Sequence, residues 1–316
     1  MLLSQLGEFG LIDLIRKRFS DISTGRMQGI GDDCAVIPCD GKHSLVVTAD
    51  MSVEDIHFLR DAASPYLLGR KTLATNLSDV AAMGAAPVAT FLSIALPRDI
   101  SAPWAEAFVE GYHSLSAEFG VPLLGGDTTS SPDKIVVSIT AVGRAADDTI
   151  KYRHTARPGD RIFVTGTLGD SARGLLDIRQ GRTDTEFAAI HHDPVPRVRE
   201  GRWLGLRPEV HAMMDLSDGL ASDLVHILEA SDVAAEIELE NIPTRTSVEL
   251  AVTGGEDYEL LLTAEGDAAD GLVRAYGEQF GVPLREIGRI ASGSPAIHWK
   301  RQGQEIAPDW HGFRHF

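Results

Sequence analysis

The sequence predicts a mixed α/β (α+β) protein of two domains, and three observations support that class. Its 316 residues exceed one ordinary small domain and suffice for two. The apolar fraction of 43% can supply a core for each. Strand-like and helical runs alternate along the chain, and the alternation restarts near residue 148. We therefore expect an N-terminal domain over residues 1–148 and a C-terminal domain over residues 149–316.

The first half opens with a helix over residues 1–20, where Phe9, Ile12 and Phe19 are among the apolar residues at helical spacing. Two further helices are predicted in this half. The helix over 65–85 is rich in Ala and Leu, and the helix over 101–120 is amphipathic with an N-cap Ser. The later elements, in chain order, are a strand over 43–50, a largely buried helix over 65–85, a strand over 86–97, a helix over 101–120, a strand over 121–129 that leads into a glycine turn, and a strand over 133–145.

The second half repeats the pattern of strand, polar turn and helix. Its elements, in chain order, are a strand, glycine turn and helix over 157–178, a carboxylate turn and helix over 213–232, a strand over 234–243, a turn and strand over 251–264, a further helix, and a strand over 284–290. Residues 180–210 contain Pro194, Pro196 and Pro208, and this predicts a long connection inside the second domain.

Composition excludes several functional classes. The net charge of −17 lacks the basic footprint of a nucleic-acid binder, although acidity alone is also ordinary for a soluble protein. No apolar run approaches the roughly 20 residues of a membrane helix. No apolar N-terminal segment follows a basic stretch, and two cysteines, Cys34 and Cys39, form no disulfide framework. We expect a cytoplasmic protein that binds neither nucleic acid nor membrane.

Six short acidic motifs recur along the chain, each with an acid beside Gly, Ser, Thr or Asn. They are GIGDDC at 29–34, TAD at 48–50, NLSD at 76–79, GGDTT at 125–129, DLSDG at 215–219 and GGEDYE at 254–259. Any one of them alone is more often a turn or a helix cap than a ligand. Several follow apolar strands, at the strand ends where α/β proteins bind ligands. Six together indicate more than turn formation.

Phosphoryl transfer with several magnesium ions needs this kind of residue set. Magnesium takes oxygen ligands and keeps several waters, so carboxylates and hydroxyls from separate loops suffice. Clustered carboxylates repel one another without a cation, and a metal removes that cost. Glycines let the backbone approach phosphates closely. The P-loop and protein-kinase motifs are absent, so an ATP enzyme with this sequence belongs to neither common class.

Seven segments together resemble the thiamine-monophosphate kinase family, in order and in spacing. They are GIGDDCAVI, TAD before VEDIHF, KTLATNLSDVAAMGA, LLGGDTT, RPGDRIFVTGTLGDSARGL, DLSDGLASDL and GGEDYELL. The resemblance runs from about residue 7 to DWHGF near the C-terminus. The wider superfamily includes aminoimidazole ribonucleotide synthetase. The resemblance implies that superfamily's two-domain fold, in which the N-terminal α/β domain dimerises through its sheet and the C-terminal domain is α+β.

The resemblance also implies roles for individual residues, with ATP and thiamine monophosphate as substrates and Mg²⁺ as cofactor. The magnesium ligands would be Asp33, Thr48, Asp50, Asp79 and Asp127 in the first domain and Asp215 and Asp218 in the second. The ATP contacts would be Gly126, Asp127, Arg153 and Ser217. The contacts to thiamine phosphate would be His57, Glu256 and Trp310. A homodimer is implied as well.

Several residues keep alternative interpretations. Asp32 neighbours Asp33, and in an extended segment their side chains would face opposite ways, so Asp32 is either a ligand or a turn acid. Ala49 occupies a position where many relatives carry Thr, so a ligand there would have to be its backbone carbonyl. Tyr112 is more readily a core aromatic than an adenine contact. Trp310 could simply pack the C-terminal tail.

The expected reaction converts ATP and thiamine monophosphate to ADP and thiamine diphosphate by direct in-line transfer. The nucleophile is a phosphate oxygen, largely deprotonated at neutral pH, so we expect no general base. Selenophosphate synthetases carry a reactive Cys or selenocysteine near the N-terminal glycine loop, but no Cys precedes Gly29. Hydrogenase-maturation relatives end in a functional Cys, which the final FRHF lacks. A regulatory protein that has lost catalysis is the third alternative, and the intact acidic motifs disfavour it.

Overall fold

The structure is a computed structural model that describes residues 3–313. The helices are α1 (Leu3–Leu6), α2 (Glu8–Arg18), α3 (Pro65–Ala82), α4 (Ala102–Phe119), α5 (Asp170–Arg179), α6 (Glu186–His192), α7 (Val198–Gly205), α8 (Leu220–Ser231), α9 (Val248–Thr253) and α10 (Ala269–Phe280). The strands are β1 (Ala35–Pro38), β2 (His43–Val53), β3 (Ala86–Pro97), β4 (Leu123–Ser131), β5 (Val136–Ala146), β6 (Arg161–Val164), β7 (Val210–Asp215), β8 (Ala234–Glu238), β9 (Leu260–Ala264), β10 (Arg285–Ala291), β11 (Ile297–Arg301) and β12 (Gln304–Ile306).

The N-terminal half of the described chain forms a five-stranded sheet in the order β1-β2-β5-β3-β4. Strand β4 pairs parallel with β3, and the other neighbours are antiparallel. One face of the sheet packs on α3, because alternate residues of β2 and β5 are buried there, among them Val46 and Ile139. No helix among residues 3–313 contacts β4 at more than one or two positions, and the whole strand except Ser131 is exposed.

Helix α3 is the central element of the molecule. The Ser64 side chain caps its first turn by accepting from the Leu67 N–H at 3.2 Å, and Pro65 occupies the first turn. It ends before Gly84, whose φ of +70° lies in the left-handed region, where a Cβ would approach the Gly205 Cα to 2.9 Å. The helix packs against both β2 and β7 and is therefore buried on nearly every side.

The C-terminal half forms a seven-stranded mixed sheet in the order β12-β11-β8-β10-β6-β9-β7. Its edge strand β7 lies next to α3. One continuous apolar core includes Leu73 and Leu77 of α3 together with Leu260 of β9, so the two halves share buried surface. The expected two-domain α/β (α+β) architecture is confirmed.

Two local expectations are wrong, and one hairpin was missed. Residues 180–210 contain two helices, α6 and α7, because the prolines stand between helices rather than inside them. The strand predicted at 121–129 does not end in a glycine turn, since β4 continues through Gly125 and Gly126 to Ser131. The hairpin of β11 and β12 was not predicted at all.

None of the helices within residues 3–313 combines the length and the apolarity that crossing a membrane requires.

Candidate active site

Three acids from distant parts of the chain meet between the two halves. Asp33 precedes β1, Asp79 lies in the last turn of α3, and Asp215 is the last residue of β7. One carboxylate oxygen from each lies within 4.8 Å of the others. They meet because α3 packs against β2 on one side and β7 on the other. We call these three residues the acidic cluster.

Hydroxyl groups and a second strand acid surround the acidic cluster. The Thr48 hydroxyl on β2 donates to Asp79 Oδ2, and the Ser78 hydroxyl on α3 donates to Asp215 Oδ2. Asp50 lies two residues after Thr48 and points to the same side of β2, where burial raises the pKa of its carboxyl. Asn76 Oδ1 accepts from the Asp50 backbone N–H at 3.3 Å. Four of the predicted ligands in the first domain and one in the second are thus brought together.

Arg153 is the basic group of this site. Its guanidinium donates to Asp33 Oδ1, and its backbone N–H donates to Asp32 Oδ2 at 3.2 Å. Asp32 and Asp33 therefore do not face opposite ways, as extended backbone would require. Residues 30–34 form bends instead, which corrects the expectation for Asp32. Both acids turn toward the same arginine.

The electrostatics of the acidic cluster are unfavourable without added positive charge. Burial raises the pKa of Asp79 well above its usual range, and the nearby Asp50 and Asp215 raise it further. Burial, with Asp33 as the next cause, raises the pKa of Asp215 to about 8. Burial also raises the pKa of Asp33, against the effect of Arg153. Arg153 alone does not offset the buried negative charge.

A divalent cation fits these residues. Asp33 Oδ2 is buried and has no hydrogen-bond partner within the described part of the chain. A buried carboxylate oxygen in that state costs free energy unless a ligand or water satisfies it. The donor set consists of carboxylates and a hydroxyl, which are the oxygen ligands that Mg²⁺ takes. Asp33, Asp79 and Asp215 are the residues that would hold it, with Thr48 and Asp50 beside them.

A cavity of about 380 Å³ opens over the acidic cluster. Gly29, Gly31, Ala49 and Ser217 are among its lining residues. Ser217 follows Asp215 by two residues and lies in the wall of this cavity. Ala49 is exposed on β2. No Lys or His stands among the described residues that line this cavity.

Asp127 lies away from the acidic cluster within a single chain. Through the strand pairings, Asp50 aligns with Ile139, Leu92 and then Gly126. Three strand spacings, roughly 14 Å, therefore separate the strands of Asp50 and Asp127. Because Asp127 follows Gly126, its side chain points to the opposite face of the sheet, which no helix of residues 3–313 covers. Asp127 is exposed and accepts from the Thr128 N–H at 2.9 Å.

Gly126 has a structural role of its own. Its φ is +150°, and a Cβ at this position would lie 1.7 Å from the Leu92 carbonyl oxygen on β3. Only glycine therefore fits where β4 pairs with β3. Strand pairing therefore requires glycine at position 126 whether or not the residue contacts a nucleotide.

The GGEDYE loop lies against the DLSDG loop. The Glu256 N–H donates to the Ser217 carbonyl at 2.7 Å, and the Tyr258 N–H donates to the Leu216 carbonyl at 2.9 Å. Glu256 adopts a φ of +63° and Tyr258 a φ of +50°, both in the left-handed region that costs free energy for non-glycine residues. The predicted substrate residue Glu256 is thus held beside Ser217.

The C-terminal tail docks on the same loop. The Phe313 N–H donates to the Asp218 carbonyl at 3.0 Å. Trp310 is half-buried and packs edge-to-face on Trp299, with ring centroids 5.4 Å apart. Asp218 is half-buried and lies outside the acidic cluster. Residues 314–316 of the predicted tail lie outside the described residues.

His57 and Tyr112 complete the residues considered from sequence. His57 lies in the turn after β2, where its Nδ1 accepts from the Val53 N–H at 3.0 Å. Tyr112 is buried in the core, and its hydroxyl donates to Thr90 at 2.7 Å, which agrees with a core aromatic. Cys34 is buried in an apolar cluster, and burial raises the pKa of its thiol well above the usual range. Cys34 is therefore a packing residue of this cluster.

Sequence reasoning missed two residues that α3 contributes, Lys71 and Ser78. Both are buried, although their helix is otherwise mostly apolar. The signal was present, since Lys71, Thr75 and Ser78 recur at helical spacing and form one polar stripe along α3. A polar stripe on a buried helix indicates partners in the neighbouring elements.

A larger cavity of about 810 Å³ lies on the C-terminal half, away from these residues. Arg197 and Glu259 form part of its wall, and Arg197 Nε donates to Glu259 Oε2 at 2.7 Å. Arg197 and Glu259 are therefore already paired with each other. None of the predicted site residues lines it. The acidic cluster is the stronger candidate for chemistry.

Two family models match the chain. The N-terminal domain of AIR synthase related proteins matches residues 31–145, and the C-terminal domain of the same family matches residues 157–300. Thiamine-monophosphate kinase of Salmonella typhimurium is 38% identical over 334 residues, with 98% of each chain covered. The Bacillus subtilis enzyme of that name is 33% identical, with 98% of this chain and 100% of the relative covered.

Solved structures agree with these matches. The structure of AaThiL complexed with AMPPCP and TMP has a TM-score of 0.85 at 32% identity and covers 100% of this chain and 99% of its own. Thiamine-monophosphate kinase from Stenotrophomonas maltophilia has a TM-score of 0.75 at 37% identity, covering 95% and 98%. The hydrogenase maturation protein HypE, at 22% identity and a TM-score of 0.69, shares the fold alone. With full-length relatives above 30% identity, the chain belongs to the thiamine-monophosphate kinase family and is a kinase.

Proposed function

We propose that this protein transfers the γ-phosphoryl group of ATP directly to thiamine monophosphate, giving ADP and thiamine diphosphate. The reaction is the last step of thiamine diphosphate biosynthesis, depends on magnesium and takes place in the cytoplasm. The observation that carries the proposal is the acidic cluster, where three buried carboxylates meet and Asp33 Oδ2 lacks a partner among the described residues. The names of the relatives and the AMPPCP and TMP in one solved neighbour support the choice of substrates.

Magnesium supplies the positive charge that lets two anionic phosphates approach each other. Asp33, Asp79 and Asp215 hold it, and Thr48 and Asp50 extend the oxygen ligand set. The hydrogen bonds from Thr48 to Asp79 and from Ser78 to Asp215 hold these side chains against α3 before any ligand arrives. Asp218 adds a second acid on the C-terminal side, three residues after Asp215.

The protein needs no general base for this transfer. The attacking atom is an oxygen of a phosphate monoester, whose second pKa near 6 leaves it mostly dianionic at neutral pH. The absence of Lys and His from the described lining of the cavity fits this chemistry. Transfer is in-line and direct, without a phosphorylated protein side chain. Arg153 and Ser217 contact the nucleotide from the C-terminal side of the cavity.

His57, Glu256 and Trp310 form the thiamine side of the site. The positive thiazolium ring is attracted by the Glu256 carboxylate and by an indole face. The Glu256 N–H donates to the carbonyl of Ser217, which lines the cavity. The tail that carries Trp310 is hydrogen-bonded to the Asp218 carbonyl. Both residues therefore lie on the side of the cavity formed by the C-terminal half.

The protein acts as a homodimer that forms through the uncovered face of the five-stranded sheet. Met51 and Phe91 on that face are 57% and 40% exposed, and the edge strand β4 exposes Leu123 and Leu124. An apolar face and an unpaired edge strand of this kind favour association with a second copy. Asp127 points to the same face, so Gly126 and Asp127 of each chain complete the site of its partner.

A coupled assay of ADP release tests the function. Thiamine monophosphate should support magnesium-dependent ADP release and the formation of thiamine diphosphate, detected by chromatography. Other small phosphate monoesters should support at most a few per cent of that rate. ADP release that does not depend on thiamine monophosphate, or preference for another phosphate ester, would refute the proposal.

A further inference from the structure

A largely buried group of polar side chains lies beside the candidate site, and of its members only Glu256 has a role in the proposed phosphoryl transfer. Lys71 of α3 is 6% exposed, and its Nζ lies 3.1 Å from Glu256 Oε2 and 3.3 Å from His191 Nε2. His191, at the end of α6, has its Nδ1 3.0 Å from the Ser171 hydroxyl on α5. We call these four residues the Lys71 network. It joins the N-terminal half to three elements of the C-terminal half.

The donors and acceptors of the network determine its proton arrangement. The Lys71 ammonium can only donate, so His191 Nε2 accepts and the proton of the ring lies on Nδ1. That Nδ1–H donates to the Ser171 hydroxyl. Burial and the charge of Lys71 lower the pKa of His191 to about 2, so the ring stays neutral. The network therefore contains one cation, Lys71, and one anion, Glu256.

Three features distinguish this network from an ordinary buried ion pair. Glu256 keeps a φ of +63°, a conformation that a non-glycine residue adopts at a cost in free energy. Its side chain is 25% exposed, whereas that of Lys71 is 7% exposed, so the pair faces outward through the carboxylate. The neighbouring His192 is also buried, and its Nε2 lacks a hydrogen-bond partner within residues 3–313. Strain and an unsatisfied polar atom are typical of a ligand site.

The position of the network suits a substrate longer than a phosphate group. Lys71 lies eight residues before Asp79 on the same helix, which is about 12 Å along the helix axis. Glu256 donates its N–H to the Ser217 carbonyl, and Ser217 lines the cavity over the acidic cluster. A molecule with its phosphate at the acidic cluster and its body along α3 would therefore reach Glu256.

We propose that Lys71 is a positioning residue for the acceptor substrate, because it holds one carboxylate oxygen of Glu256 inward and leaves the other directed at the cationic ring of the acceptor. This inference rests on the proposed function, since it needs an acceptor with a positive ring. His191 fixes the Lys71 ammonium from the other side. Lys71 itself contacts neither the substrate nor the reacting phosphates.

The test is a double-mutant cycle that combines Lys71→Met with Glu256→Gln. Lys71→Met alone should raise the KM for thiamine monophosphate about tenfold, since a hydrogen bond to a charged group is lost. The KM for ATP and kcat should stay within about twofold, because the acidic cluster is untouched. In the Glu256→Gln background, Lys71→Met should raise the KM by less than about twofold more, since its effect acts through Glu256.

Thr72→Val is the matched control on the same helix. Thr72 is buried next to Lys71, but its hydroxyl donates to the Gly69 carbonyl inside α3. This variant should leave all three constants within about twofold of wild type. A tenfold rise with Thr72→Val would show that any buried change in α3 disturbs the site, and it would overturn the role of Lys71.

Three other outcomes overturn the inference. One is an unchanged KM for thiamine monophosphate in Lys71→Met, and another is an equal rise in the KM for ATP. The third is a full additional effect of Lys71→Met in the Glu256→Gln background. If Lys71→Met does not fold, His191→Gln replaces it and should raise the same KM about threefold, and no change would overturn the inference. Failure of the wild-type protein to phosphorylate thiamine monophosphate refutes the proposed function instead, so the two failures are distinguishable.

Discussion

Asp50 and Asp127 lie on opposite faces of one sheet, three strands apart. Asp50 faces α3 and the acidic cluster, whereas Asp127 faces the side that none of the helices in the described part of the chain covers. A single chain therefore cannot bring Asp127 to its own acidic cluster without rebuilding the sheet. If both acids serve one reaction, a second copy must supply one of them.

Mixing inactive variants tests whether two chains share a site. Asp127→Asn and Asp215→Asn should each abolish transfer. After the two are unfolded together and refolded, half of the dimers are mixed, and each mixed dimer has one intact site. About a quarter of the wild-type activity should therefore return. Asp79→Asn mixed with Asp215→Asn is the matched control and should recover none, because both acids belong to one cluster. No recovery in the first mixture, with mixed dimers verified by affinity tags, would contradict a shared site.

An introduced charge tests whether the uncovered face of the five-stranded sheet forms the dimer interface. Phe91→Asp puts a carboxylate on the uncovered face, where burial against a second copy would be costly. Light scattering at micromolar concentration should give a dimer mass for wild type and a monomer mass for this variant. Val109→Asp is the control, since Val109 is 57% exposed on α4 and away from that face. A wild-type monomer, or a dimeric Phe91→Asp variant, would count against the interface.

The acidic cluster predicts a stability profile for the metal-free protein. Burial raises the pKa of Asp215 to about 8 from its usual value of 3.8. Between these values the folded state binds a proton that the unfolded chain releases, so stability falls as pH rises from about 4 to about 8. Added magnesium needs deprotonated ligands, so the rise in Tm that it produces should be larger at pH 8 than at pH 6.

Asp215→Asn checks this reasoning by removing the charge. Without metal, the variant should have a higher Tm than wild type at pH 8, because fewer buried carboxylates repel one another. It should also lose most of the magnesium-dependent rise in Tm. Thermal unfolding followed by circular dichroism measures both effects. A lower metal-free Tm together with an unchanged magnesium response would exclude Asp215 as a ligand.

Trp310→Ala should raise the KM for thiamine monophosphate by roughly 2- to 30-fold. The reason is that a contact between a cation and an indole face is worth about 0.5–2 kcal/mol. The KM for ATP should change little. Phe313→Ala serves as the control for tail docking and should leave both constants within about twofold. If Trp310 only packs on Trp299, Trp310→Ala lowers Tm and leaves both constants unchanged.

The sequence by itself determined the class of fold, the family and most of the acidic residues that meet. Acids at strand ends and helix ends are local features, and GIGDDC, TAD, NLSD and DLSDG each stand out within a few residues. Turn chemistry and strand alternation are likewise local, so most elements could be predicted within a few residues of their ends. The prediction of a long connection over residues 180–210 was wrong. Three prolines in that segment indicated a connection, whereas the segment contains two short helices.

Only the tertiary structure decided which of these acids share a site. Asp33, Asp79 and Asp215 are far apart in sequence, and they meet because α3 packs against both sheets. The same packing buries Lys71 beside Glu256, although 185 residues separate them. Asp127 lies in a sequence motif as clear as the others, but strand register places its side chain on the face of the sheet opposite Asp50. Register and packing depend on contacts between distant segments, and a local pattern contains no information about them.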